Sequence, residues 1–168
     1  MEVSAPQLLL LRHGIAEERR PDRADGQRAL TPAGVRRTTS VVERAVALGL
    51  EAQRMLSSPL VRARQTAEIA LAARLAPTLE LAHGLEPGGD PLPLLQGLRA
   101  GRLLLVGHEP DLGDLAARLL GAPAGAIALR KAGMALLELP AGAPEGQRLP
   151  ALGHWRLKLL LTPKVLLG

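Results

Sequence analysis

No cysteine, phenylalanine or tyrosine occurs among the 168 residues, and Trp155 is the only tryptophan. Each absence removes a class of function. Without cysteine there is no disulfide, no thiolate nucleophile and no Cys-bearing zinc site. Without rings on which bases could stack, a platform for single-stranded nucleic acid has almost nothing to be built from. Lysine is scarce too, three against 18 arginines in a chain crowded with Leu, Ala, Gly and Pro. The net charge of +5 thus comes from scattered arginines, in no run longer than Arg19-Arg20 or Arg36-Arg37, and no nucleic-acid partner is expected. Long apolar runs are missing as well. The stretch Leu8 to Leu11 falls far short of the ~20 residues that span a bilayer, and Glu2 rather than a basic segment precedes it. A cytoplasmic protein without a membrane partner is expected.

What is present reads as one globular domain over residues 1–168, with 47% hydrophobic and 22% charged residues. Short apolar runs alternate with longer helical patterns. Strands are expected at Leu8 to Leu11, Met55 to Ser58, Thr78 to Leu81, Leu103 to Val106, Ile127 to Arg130, Met134 to Leu139 and Trp155 to Leu161. Thr31 as N-cap with Pro32 at the first helical position opens a helix that Gly49 closes. Further helices are expected over Val61 to Leu75, ended by Pro77, over Leu92 to Leu98, and over Asp111 to Leu120, capped by Gly121. His83 to Pro91 and Pro140 to Pro150 read as loops rich in turn residues. This alternation predicts a three-layer α/β/α sandwich around a largely parallel central sheet.

Ligands of such sheets bind beyond the carboxyl ends of the strands. Two of the expected strands end there in histidine, at Arg12-His13-Gly14 and at Gly107-His108. Arg62, at the opening of the helix after Ser57-Ser58-Pro59, adds a second guanidinium. Two imidazoles and two arginines make a cationic pocket, and glycines such as Gly14 let backbone approach a ligand closely. Guanidinium forks match phosphate oxygens in pairs, so the pocket calls for a phosphoryl group.

Four blocks in order carry a resemblance: Leu11-Arg12-His13-Gly14, Leu30-Thr31-Pro32-Ala33-Gly34, Ser57-Ser58-Pro59-Leu60-Val61-Arg62-Ala63-Arg64-Gln65-Thr66-Ala67 and Val106-Gly107-His108-Glu109-Pro110. Together they resemble the histidine phosphatase superfamily (phosphoglycerate mutase-like). The compact outline is most similar to its SixA-type phosphohistidine phosphatases. The resemblance implies a phosphoglycerate mutase-like fold and a metal-independent, cofactor-free phosphatase that forms a phosphohistidine on His13. Arg12, Arg62 and His108 would hold the phosphoryl oxygens, with Gly14 and Ser57 as further substrate contacts. The substrate would be phosphohistidine in a protein. The alternatives are a small phosphate ester, such as a sugar or nucleoside phosphate, or a non-catalytic role in binding a phospho-ligand.

An oxygen ester would need a proton donor, for which Glu86 is the candidate, with Asp90 behind it. Asp25 and Arg28 are expected near the mouth of the pocket, as contacts or as a salt bridge. A strand-end hydroxyl such as Ser57 more commonly satisfies backbone, and Thr31 reads as a helix cap. Glu109 is expected to steady the loop after His108. His83 and His154 read as surface or packing residues, and Trp155 as a half-buried anchor of the core.

Overall fold

The leucine runs form the middle of a six-stranded sheet in the computed structural model, which describes residues 5–142 and 150–168. The strands are β1 (Gln7–Arg12), β2 (Arg54–Ser57), β3 (Leu79–Leu81), β4 (Arg102–Gly107), β5 (Met134–Glu138) and β6 (Arg156–Leu161), in the spatial order β3-β2-β4-β1-β5-β6. The first four run parallel, and β5 and β6 are added antiparallel. Leu8, Leu9, Leu10 and Leu11 are all fully buried, because layers of helix cover both faces of β1. Burial of each such side chain contributes about 1.5–3 kcal/mol.

Side chains alternate between two cores. Leu9, Leu11, Leu104, Val106, Met134 and Leu136 face α1 (Pro32–Ala47), α2 (Val61–Ala72) and α4 (Pro163–Leu167). Leu8, Leu10, Leu103, Leu105, Ala135 and Leu137 face α3 (Asp111–Leu120) and the 3-10 turns His83–Leu85 and Leu92–Leu95. The expected sandwich, with its largely parallel sheet, is the fold observed. Thr31 caps α1 as its sequence predicts, its hydroxyl accepting from the Gly34 amide at 2.9 Å.

Several expectations change. Ile127 to Arg130 is not a strand: β1 already pairs with β4 and β5, so no sheet edge remains for it there. The helix after Pro59 stops at Ala72 rather than Leu75, with Arg74 turning the chain at a φ of 64°. Leu92 to Leu98 yields only a four-residue 3-10 turn, and His83 to Pro91 contains another at its start. Trp155 is buried rather than half-buried, its indole N–H donating to the Pro150 carbonyl at 2.7 Å. Of the loop expected over 140–150, positions 143–149 lie outside the described residues. At the far edge, the β5–β6 pairing shifts register between Leu136 and Leu137, whose partners are Leu159 and Leu157; Lys158 has no opposite residue.

Among the described residues no helix is long and apolar enough to cross a membrane.

Candidate active site

Sheet register brings the site together. Arg12 pairs with Gly107 across β1 and β4, so the residues that follow, His13 and His108, leave neighbouring strands at one level. Ser57 pairs with Val106 across β2 and β4, which sets Ser58 at that level too. The His13 amide donates to the Gly107 carbonyl and the Ser58 amide to that of Val106, both at 3.0 Å. The two imidazoles come to 5.2 Å between ring centroids, tilted by 55°. Arg62, on the first turn of α2, reaches them from the other side of the Ser58–Leu60 connection.

His13 is 6% exposed, and two hydrogen bonds fix its tautomer. Nδ1 lies 2.7 Å from the Gly14 carbonyl, which can only accept, so Nδ1 carries the proton. The Arg62 Nε–H donates to Nε2 at 3.3 Å, which requires a bare nitrogen there. Burial, reinforced by the neighbouring His108, Arg62 and Arg12, pushes the His13 pKa down to about 3 against the pull of the Gly14 carbonyl. At neutral pH the ring is therefore uncharged, with its Nε2 lone pair available. His108 is treated alike: burial, then Arg62, lowers its pKa to about 4.

Asp25 organises the cations. Its carboxylate accepts from Arg62 Nη2 at 3.1 Å and from Arg28 Nε at 2.9 Å and forms an ion pair with Arg19 Nε at 3.2 Å, and its carbonyl accepts from Arg62 Nη1 at 2.9 Å. Partial burial works against its ionisation, but these three guanidiniums hold its pKa below the ordinary value. Both expected roles of Asp25 and Arg28 near the mouth thus merge into a clamp on Arg62. Arg12 is steadied from the other flank, donating from Nη1 to the Leu129 carbonyl at 2.9 Å. Glu109, whose pKa burial raises, accepts from the Gly113 amide at 2.9 Å and so ties the loop after His108 to α3.

Gly14 has a packing task beside the ligand contact expected of it. Its amide donates to Thr66 Oγ1 at 3.1 Å, and its carbonyl is held by His13. A Cβ there would come within 2.1 Å of Thr38 Oγ1, so glycine lets α1 pack against the loop that carries His13. Ser57 donates its hydroxyl to the Ser58 carbonyl at 3.0 Å, the backbone use of a strand-end hydroxyl. Its neighbour Ser58 makes the contact with the site, at 2.8 Å from His108 Nε2. Glu86 sits on the loop after β3, where its carboxylate contacts the exposed His83. Asp90 also lies on that loop and accepts from the Leu92 amide at 3.1 Å.

Two residues of the site escaped the sequence reading, Ser58 and Thr66. Thr66 follows Arg62 by one helical turn and donates to the Arg62 carbonyl at 2.8 Å, a spacing that would have placed both on one face. Among the described residues no three His, Asp or Glu side chains group so as to hold a metal ion.

A neutral buried histidine flanked by guanidiniums stands at the carboxyl edge of a mostly parallel sheet, an arrangement chemically suited to a phosphoryl group. The chain belongs to the histidine phosphatase superfamily, branch 1, whose family model matches residues 8–86. It is 41% identical to an uncharacterized protein of Picosynechococcus sp. over 168 residues, covering 96% of this chain and 99% of the relative. In fold it is similar to the protein histidine phosphatase SixA complexed with tungstate, at a TM-score of 0.75, with 24% identity over 94% of this chain and 97% of that one. It is also similar in fold to a phosphoserine phosphatase mutant of Entamoeba histolytica in complex with phosphoserine, at a TM-score of 0.69 and 16% identity over 95% and 98% of the two chains.

Proposed function

We propose that the protein hydrolyses phosphohistidine in a partner protein, through a covalent intermediate on His13 and without a metal ion. The observation that carries this reading is the His13 ring itself, neutral and with Nδ1–H committed to Gly14 so that Nε2 is the nucleophile. In the first step the substrate imidazole, protonated by solvent on its other ring nitrogen, leaves as neutral imidazole while the Nε2 lone pair of His13 forms the new bond to phosphorus. Water then attacks the phosphohistidine, releasing phosphate and returning Nε2 to its bare form. Arg12 and Arg62 offset the charge of the phosphoryl oxygens and His108 helps to hold them, work that is mainly positioning and electrostatics.

The choice of a P–N substrate is supported by the acids available. Among the described residues, Asp25 is the carboxylate hydrogen-bonded to the catalytic Arg62, and three arginines keep it ionised, so it is unsuited to donating a proton. Glu109 is occupied by backbone, and Glu86 is engaged with His83. An imidazole leaving group, with an ordinary pKa near ~6.5, demands far less of a general acid than an alkoxide does.

The test is an assay of the protein, in EDTA, against a phosphohistidine-bearing protein and a panel of phosphate monoesters, with acid quenching of labelled reactions. The expected result is undiminished turnover in EDTA, a preference for phosphohistidine in kcat/KM, and acid-labile label on His13. Dependence on an added divalent ion, or turnover without label on the protein, overturns the covalent scheme; a preference for an ester overturns the substrate.

A further inference from the structure

Ser58 and His108 are both buried, at 0% and 3% exposure, and their hydrogen bond links the end of β2 to the end of β4. A neutral imidazole facing a hydroxyl can be donor or acceptor, so the distance of 2.8 Å alone leaves the tautomer open. The rest of the Ser58 environment closes it. Ser58 Oγ already accepts from the Leu60 amide at 3.3 Å, the turn in which a serine oxygen takes the N–H two residues on. If His108 Nε2–H also donated to Oγ, the serine proton would have no acceptor and His108 Nδ1 would be a second buried group without a partner. With the serine proton on Nε2 instead, Ser58 is fully satisfied, and His108 Nδ1 carries the one proton left over. Each additional unsatisfied buried polar group costs about 1–3 kcal/mol, which selects the second arrangement.

We infer that Ser58 is a positioning residue that fixes His108 as its Nδ1–H tautomer, so that a neutral histidine presents a hydrogen-bond donor to the phosphoryl group. His108 Nδ1 and Arg12 Nε are buried side-chain nitrogens that find no partner among the described residues, and in this tautomer both are donors. An oxyanion satisfies two such donors; a bare Nδ1 would repel it. The histidines then form a complementary pair: a backbone carbonyl makes Nε2 of His13 the lone pair, and a hydroxyl makes Nδ1 of His108 the proton. Neither needs to be charged, and a protonated His108 beside Arg62 and Arg12 would be costly.

This inference rests on His108 contacting the transferring phosphoryl group, but its first test is independent of catalysis. Nitrogen-15 NMR of the resting protein at neutral pH, with the His108 signals assigned by comparison with His13→Ala, His83→Gln and His154→Gln variants, reads which ring nitrogen bears hydrogen. A proton on Nδ1 and a bare Nε2 is expected, and the reverse overturns the inference whatever the enzyme's activity. In Ser58→Ala the His108 tautomer is expected to become mixed, and kcat to fall about 10²-fold with a smaller change in KM, because the donor acts mainly on charge developed in transfer. Ser58→Thr, which keeps a hydroxyl, is expected to restore the Nδ1–H form and most of the lost rate. An unchanged tautomer and rate in Ser58→Ala overturns the inference. Failure of the wild type to label His13 instead overturns the covalent scheme and leaves the NMR result standing.

Discussion

The parallel and antiparallel halves of the sheet do different work. In the half made of β2, β4 and β1, parallel pairing brings three strand ends to one level, and Ser58, His108 and His13 follow them directly. In the other half, β5 and β6 run back and forth, and no site side chain rises from them. That half still contributes indirectly, through the connection that leads into β5: the Leu129 carbonyl holds Arg12, and the Gly133 carbonyl accepts from the Arg12 amide at 3.1 Å. Parallel strands supply reacting groups because their ends coincide. The approach to the antiparallel pair supplies backbone carbonyls that hold Arg12.

The largest effect is expected where the parallel half ends. His13→Ala should abolish turnover on every substrate while the protein stays folded, since the lost ring leaves only the Gly14 carbonyl and the Arg62 Nε–H without that partner, a cost of about 1–3 kcal/mol each. Activity assays beside thermal unfolding check it; substantial residual turnover would remove the distinction between the halves. Asp25→Ala comes next. It frees Arg62 Nη2 and two further guanidiniums, and kcat/KM should fall about 10- to 10²-fold, because Arg62 loses its orientation but keeps its charge.

Glu86→Gln should change phosphohistidine hydrolysis by only a few-fold, whereas any ester hydrolysis should drop by about 10²–10⁴-fold if Glu86 supplies its proton. Comparing kcat/KM for both substrates separates the two roles. Smallest in activity, and largest in stability, is Leu136→Ala in β5. The side chain is 6% exposed in the core under α1, so its truncation should cost about 2–5 kcal/mol in denaturant unfolding and leave kcat nearly unchanged at a temperature where the protein is folded. A proportionate loss of kcat would mean that β5 shapes the site directly.

The parallel half was also the more legible in sequence. Strands buried on both faces leave apolar runs such as Leu8 to Leu11 and Leu103 to Val106, and a histidine two residues after each run marks the edge of the sheet. Arg12, His13 and His108 were found in this way and Arg62 at the opening of the helix after Pro59, and the structure brings them together. Ile127 to Arg130 was misread because an apolar run shows burial but not whether a neighbouring strand has an edge free to pair. Its Leu129 is indeed buried, with its carbonyl given to Arg12. The closing helix was overlooked although Thr162-Pro163 repeats the cap of Thr31-Pro32, its Thr162 hydroxyl accepting from the Val165 amide at 3.2 Å; at five residues it offers no periodicity. Ser57 and Ser58 could not be told apart because adjacent residues at a strand end point to opposite sides, and only register decides which one meets His108.

The register shift at Lys158 bears on how this protein behaves in company. Leu157, Leu159 and Leu160 are each more than a third exposed on an outermost strand, a sequence that would otherwise template another chain. One unmatched lysine interrupts that template, and its ammonium is anchored 3.4 Å from Glu138 while Arg156 stands two residues away. A strand from a second molecule laid along this edge would meet a kink and two like charges instead of a continuous ladder. A single inserted residue thus gives the leucine-rich border the irregularity and charge that make an edge strand a poor template.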